Sequence, residues 1–186
     1  MELSEFKGNK LTPEERRYRL EQYESCKKRG IDPEMIPGCD AINDYDWIVT
    51  TQSCYGHKGD NERKAHLDFR CSLDIGTVID NLLRPMEEIH HTSVQLMLEE
   101  KRLRYLLWFN NDTWEAEVNT FVKLVARTEK IVKPWSLKDS KEDFNDKAIR
   151  ILTEDPQFNH QDFSNCGYNI FTLDEFRNLD IEPIKK

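Results

Sequence analysis

Residues 50–59 read T-T-Q-S-C-Y-G-H-K-G. Thr51, Ser53, Cys54 and His57 set two hydroxyls, a thiol and an imidazole around Gly56. An imidazole titrates near neutral pH and can serve as general base or acid. A thiol becomes a nucleophile when a neighbouring cation lowers its pKa. Cys54 and His57 are therefore the candidate catalytic pair. A glycine can take positive φ and let a ligand approach the backbone, and successive N–H groups beside it suit phosphates or carboxylates. Thr51, Ser53 and Gly56 would then form an anion cradle, with Arg63 and Lys64 as the nearby positive charge. No acid stands out as an orienter for His57; Asp60 and Asp68 are both close in sequence.

Two other readings of these residues stay open. Cys54-x-x-His57, with His66 and Cys71, contains ligand types that suit zinc. The spacing matches no common finger, and residues five apart point to opposite faces of a regular strand. No metal ligand is assigned on that basis. In the plainer reading Thr51 and Ser53 cap a turn, Cys54 is core and Gly56 is the turn glycine.

The elements that must carry this stretch can be read from periodicity. Thr12-Pro13-Glu14-Glu15 is a helix start, with a hydroxyl cap, proline in the first turn and glutamate three residues after the cap. That helix should run to about Arg29 and end at Gly30, with a thin apolar face of Tyr18, Leu20 and Tyr23. A second start at Asp32-Pro33 leads into Met35, Ile36, Cys39 and Ile42, and Pro37-Gly38 predicts that this helix is short or kinked. Trp47 to Thr51 reads as a strand that delivers the motif. Ala65, Leu67, Phe69 and Cys71 alternate with polar residues, which predicts a second strand with one wet face.

Asp74 can cap a helix carrying Val78, Ile79, Leu82 and Leu83, which Pro85 should end or bend. Val94, Leu96 and Leu98 alternate, as do Leu103, Tyr105, Leu107 and Phe109; a hairpin fits, and a long helix is the competing reading. Asp112-Thr113-Trp114-Glu115 reads as a capping box before Val118, Phe121, Val122 and Val125, the strongest amphipathic helix of the chain. The order strand, strand, helix, strand, strand, helix predicts an α+β fold. Two ββα units would form one mainly antiparallel sheet covered by helices. Residues 1–45 would be N-terminal helices packing on a core of residues 46–132. Residues 133–186 would form a C-terminal helix from about Ser140 to Leu152 and a largely irregular tail, with a short helix near Leu173 to Leu179.

Composition bounds the function. The chain has 186 residues, 38% hydrophobic and 33% charged, which suits one globular domain. Acidic residues number 35 against 27 basic ones, a net charge of −8, and this disfavours non-specific binding to DNA or RNA. No run of about 18 apolar residues predicts a membrane helix, and the first residues, MELSEFKGNK, contain no apolar signal core. Five widely spaced cysteines without a C-x-x-C fit reduced thiols in a cytoplasm.

The stretch Gly30-Ile31-Asp32, Ile36-Pro37, Asp40-Ala41-Ile42-Asn43, then Thr50-Thr51-Gln52-Ser53-Cys54-Tyr55-Gly56-His57, resembles the N-terminal signature of the wybutosine-synthesising N-methyltransferase family. In that family a helix leads to a strand and a Thr-Thr-Ser-Ser-Cys-Ser-Gly-Arg motif. The chain also resembles small phage and bacterial proteins with Ser-Cys-Cys-Gly-His after a strand. The resemblance spans residues 30–72 and extends weakly to about residue 127. It implies S-adenosylmethionine as cofactor and methyl transfer to a nucleoside or RNA. Ser53, Cys54 and Gly56 match the family motif, whereas His57 stands where the family has arginine. Histidine cannot imitate that bidentate anion binder. The alternative expectation is a phage-type binding protein that holds an anionic small molecule, a nucleotide or a partner's acidic group. It could also dimerise through an edge strand such as residues 103–109.

Overall fold

The computed structural model describes residues 11–56, 64–73, 75–99, 102–132 and 168–172. Helix α1 spans Pro13–Lys27, with Thr12 as the cap whose hydroxyl accepts from the Glu15 amide at 3.2 Å. Gly30 follows at φ +154°. A 3-10 turn, Pro33–Met35, then feeds helix α2, Ile36–Asn43. Pro37 sits in the first turn of α2, where its missing N–H has no intrahelical partner to lose. Gly38 is the contact point with the next layer: a Cβ there would run into the Val118 side chain.

Strand β1 covers Ile48–Cys54 and β2 covers His66–Cys71. A helical segment follows in three pieces: α3, Ile75–Val78, a π-helical turn, Ile79–Leu83, and α4, Arg84–His90. Pro85 neither ends this segment nor breaks it. The wider π turn just before it relaxes the hydrogen-bond ladder that proline cannot complete. Strand β3, Ser93–Glu99, and strand β4, Arg102–Trp108, pair as the expected hairpin, with Glu99 opposite Arg102. Helix α5 runs over Trp114–Val132. A short strand β5, Tyr168–Thr172, comes from the stretch expected to be irregular. The expected cap at Asp74 and the expected helices near residues 140–152 and 173–179 lie outside the described residues.

The five strands form one sheet in the order β1-β2-β4-β3-β5, and every neighbouring pair is antiparallel. The fold is α+β, as the pattern predicted. One sheet face is apolar: Leu67, Phe69, Leu96, Tyr105 and Leu107 are all fully buried. Phe69 stacks on Tyr105 at 5.0 Å and meets Phe121 of α5 at 5.1 Å. Burial of this size, at about 25 cal/mol per Å² of apolar surface, is the main source of stability. Strand β4 lies in the middle of the sheet, so residues 103–109 are no free edge and cannot carry the expected edge-strand dimer.

The second face differs from the wet face expected of β2. Asp68 and Arg70 are only 1% and 3% exposed. Arg104 Nε donates to Asp68 Oδ2 at 2.7 Å, and Arg70 donates to Glu15 of α1 at 2.7 Å. Alternation marks which residues share a face; it does not say whether another element covers that face. Opposite charges across neighbouring elements allow these residues to be buried.

The start of α5 also departs from the expected box. Glu117, fully buried, accepts from the Thr113 hydroxyl at 2.8 Å, the Asn110 amide at 3.0 Å and the Thr92 hydroxyl at 2.7 Å. The acid that ties down the helix start is thus Glu117 rather than Glu115, because it alone reaches both the loop before α5 and the start of β3.

Candidate functional site: a cavity between α1 and β1

Strand β1 runs further into the motif than expected. Ser53 and Cys54 are strand residues, placed opposite Leu67 and His66. The register slips between Thr50 and Gln52, so Thr51 is the extra residue of a β-bulge. The strand is an edge, and its start is sealed by α2. The Thr50 amide donates to Asn43 Oδ1 at 2.8 Å, and Asn43 Nδ2 donates to the Thr50 hydroxyl at 2.9 Å. Thr51 is treated differently: its Oγ1 is buried and has no hydrogen-bond partner among the described residues. Buried hydroxyls are almost always paired with protein, water or a ligand, so Thr51 Oγ1 has bonding capacity to spare.

Gly56 is not an open approach to the backbone. It has φ +82°, and its carbonyl accepts from Asn111 Nδ2 at 3.1 Å, while Asn111 Oδ1 accepts from the Ala65 amide at 2.8 Å. A Cβ on Gly56 would collide with Asn111 and with Ala65. Two amides of the expected anion cradle are already engaged. Tyr55 N donates to Asp32 Oδ2 at 3.1 Å, and Gly56 N donates to Cys54 Sγ at 3.4 Å. The turn reading therefore describes Gly56, and the cradle loses this member because its N–H groups are engaged.

Cys54 is half-buried and its thiol is free of any disulfide. His57 and Arg63 lie outside the described residues, so the expected Cys54–His57 pair has no geometry here. Lys64 is exposed, and its carbonyl lies 3.1 Å from His66 Nδ1. Cys71, a member of the zinc reading, pairs with Ile48 at the opposite end of β2 from His66. Among the described residues no group of three or more His, Cys, Asp or Glu side chains could hold a metal ion.

Thr51 and Ser53 instead border a cavity of about 410 Å³ between α1 and β1. One wall is a stripe of α1: Arg19, Gln22, Tyr23 and Cys26. The spacing i, i+3, i+4, i+7 puts them on one helix face. Arg29, Gly30 and Ile31 close one end, and His66 reaches in from β2. No Asp or Glu is among the described lining residues. Tyr23, at the back of the wall, donates to Asp40 Oδ1 at 2.9 Å, and burial raises its pKa. Below Ser53 lies Cys39. Burial pushes its thiol up to about 11, against the pull of hydrogen bonds from Ser53 and Thr50.

Among the described residues, the positive charge lining the cavity is that of Arg19 and Arg29; Lys64 is not in that lining, and Arg63 lies outside the described residues. Arg19 and Arg29 escaped the reading of the motif because they lie more than 20 residues before it. A signal existed: α1 has almost no apolar face, so whatever face it turns inward must be polar.

No protein-family model, curated protein or solved structure matches this chain. The wybutosine-enzyme likeness rests on the quoted residues alone.

Proposed function

We propose that this chain binds a small anionic molecule in the cavity between α1 and β1. The observation that carries this reading is the meeting of two guanidiniums and a buried, unpartnered Thr51 hydroxyl on one cavity without a described acid. In a chain of net charge −8, such a local excess of positive charge runs against the average. Guanidiniums take carboxylate or phosphate in bidentate pairs. The volume of about 410 Å³ falls in the ordinary range for small-molecule sites. Of the motif residues, Thr51 and Ser53 contribute to binding, and Gly56 serves the turn.

The test is a calorimetric and NMR titration of the full chain with organic acids, nucleotides and S-adenosylmethionine, the last because of the family resemblance. Saturable binding whose shifts map to Arg19, Thr51 and Ser53, and which is lost in Arg19→Gln, supports the reading. A folded protein that binds none of these anions refutes it. Binding of S-adenosylmethionine at this cavity would favour the methyltransferase branch of the expectations, and an assay for methyl transfer to RNA would follow.

A further inference from the structure

The two arginines of the cavity are held at different heights along α1. The Arg19 guanidinium lies 6.0 Å from the centre of the Tyr18 ring. Arg29 folds back onto the last turn of the helix, where its Nε donates to the Ser25 carbonyl at 3.4 Å and its Nη2 donates to Ser25 Oγ. Tyr18 and Ser25 are separated by seven positions in the chain. Seven residues make two turns, so these anchors lie on one side of α1, about 10 Å apart along the axis. The wall between the arginines is uncharged, formed by Gln22, Tyr23 and Cys26. Opposite it, β1 offers the Thr51 hydroxyl and the exposed Gln52 amide.

Helix α1 runs alongside β1 in the same direction. Glu15 near its start bonds Arg70, which lies opposite Val49, while Asp32 beyond its end bonds the Tyr55 amide. The cavity is therefore drawn out along the strand, with one cation toward each end and polar, uncharged groups between. We infer that its ligand, on the anion-binding reading above, is an elongated dicarboxylate. One carboxylate meets Arg19, the other meets Arg29, and a neutral spacer lies against Gln22 and Thr51. Among the described residues one guanidinium stands toward each pole, which matches one negative charge per end and suits carboxylates better than a phosphate dianion. A compact anion would engage one pole and leave the other to water.

The experiment is an NMR-monitored titration of the full chain with chain-matched pairs: hexanoate against adipate, and octanoate against suberate, with inorganic phosphate as the compact anion. The better diacid should bind about two- to fivefold more tightly than its monoacid, the range expected for a second, partly exposed ion pair. Arg29→Gln should bring the diacid down to the level of the monoacid and change the monoacid less than twofold. Arg29 is exposed, so this variant keeps the fold. Arg19→Lys should preserve the preference for diacids, and Arg19→Gln should abolish it. Equal binding of monoacid and diacid overturns the two-ended site, as does phosphate binding more tightly than either diacid. In both cases anion binding itself survives. No binding of any of these acids overturns the dicarboxylate ligand, and the anion-binding reading is then decided by the nucleotides and S-adenosylmethionine of the first titration.

Discussion

Thr51→Val isolates the hydroxyl on which the site depends. Valine has the shape of threonine with a methyl group in place of Oγ1, and it suits a strand at least as well. In the free protein Thr51 Oγ1 is buried without a partner, a state that costs about 1–3 kcal/mol. Removing it should stabilise the ligand-free protein by about 1 kcal/mol, the low end of that cost. For a chain of this size that raises Tm by roughly 2–4 °C. A bound ligand gives the hydroxyl a partner, so the same change should weaken binding by about 0.5–1.5 kcal/mol, or roughly two- to twelvefold. The assay pairs thermal unfolding in buffer without phosphate, sulfate or carboxylate with a titration of the best-binding acid. Opposite signs on the two measurements are the expected result. A lower Tm in the free variant would mean that the hydroxyl makes a stabilising bond in the native protein. Unchanged affinity would mean that it does not face the ligand. Either result sinks the case for Thr51 as a binding group.

Gly56→Ala should destabilise the protein by more than about 2 kcal/mol, because it adds a collision with Asn111 and Ala65 to an unfavourable positive φ; denaturant unfolding reads this out, and a neutral variant would break the turn assignment. Asp68→Asn should cost about 3–5 kcal/mol by leaving Arg104 buried without its counter-charge, seen as an earlier denaturation midpoint. Cys39 has its pKa raised to about 11 from an ordinary 9.0, so the folded state holds the proton more tightly. Its contribution is fully present below about pH 9 and is lost as pH rises toward 11. That is a fall of about 2–3 kcal/mol that Cys39→Ala should flatten, measured as stability against pH.

Periodicity carried much of the fold because it reports directly on a buried face. Val118, Phe121 and Val125 announced α5, and the alternation from Val94 to Phe109 announced the central hairpin. What periodicity could not convey was the company each face would keep. Asp68 and Arg70 read as solvent-facing until Arg104 and Glu15 arrive from other elements. Strand β5 is only five residues long and pairs with β3 across more than 60 residues, so nothing local announces it. The site was half legible for the same reason. Thr51 and Ser53 stood out by type, but Gly56 takes its job from Asn111, 55 residues away. Arg19 and Arg29 become binding groups only once α1 lies along β1.

The strand order contains an approximate internal twofold. Hairpin β1-β2 and hairpin β3-β4 meet through their second strands, each followed by its own helical segment, so the outer edges of β1 and β3 are equivalent places. The chain seals them differently. The β3 edge receives another strand, which sits at a hydrogen-bonded spacing of about 4.8 Å and leaves no gap. The β1 edge faces helix α1, whose backbone groups are spent within the helix, so it meets the strand through side chains. The cavity is the space that this difference creates. Pocket and symmetry are thus linked: what distinguishes the two halves of the protein is that one edge is closed by backbone and the other only by side chains, which a ligand can part.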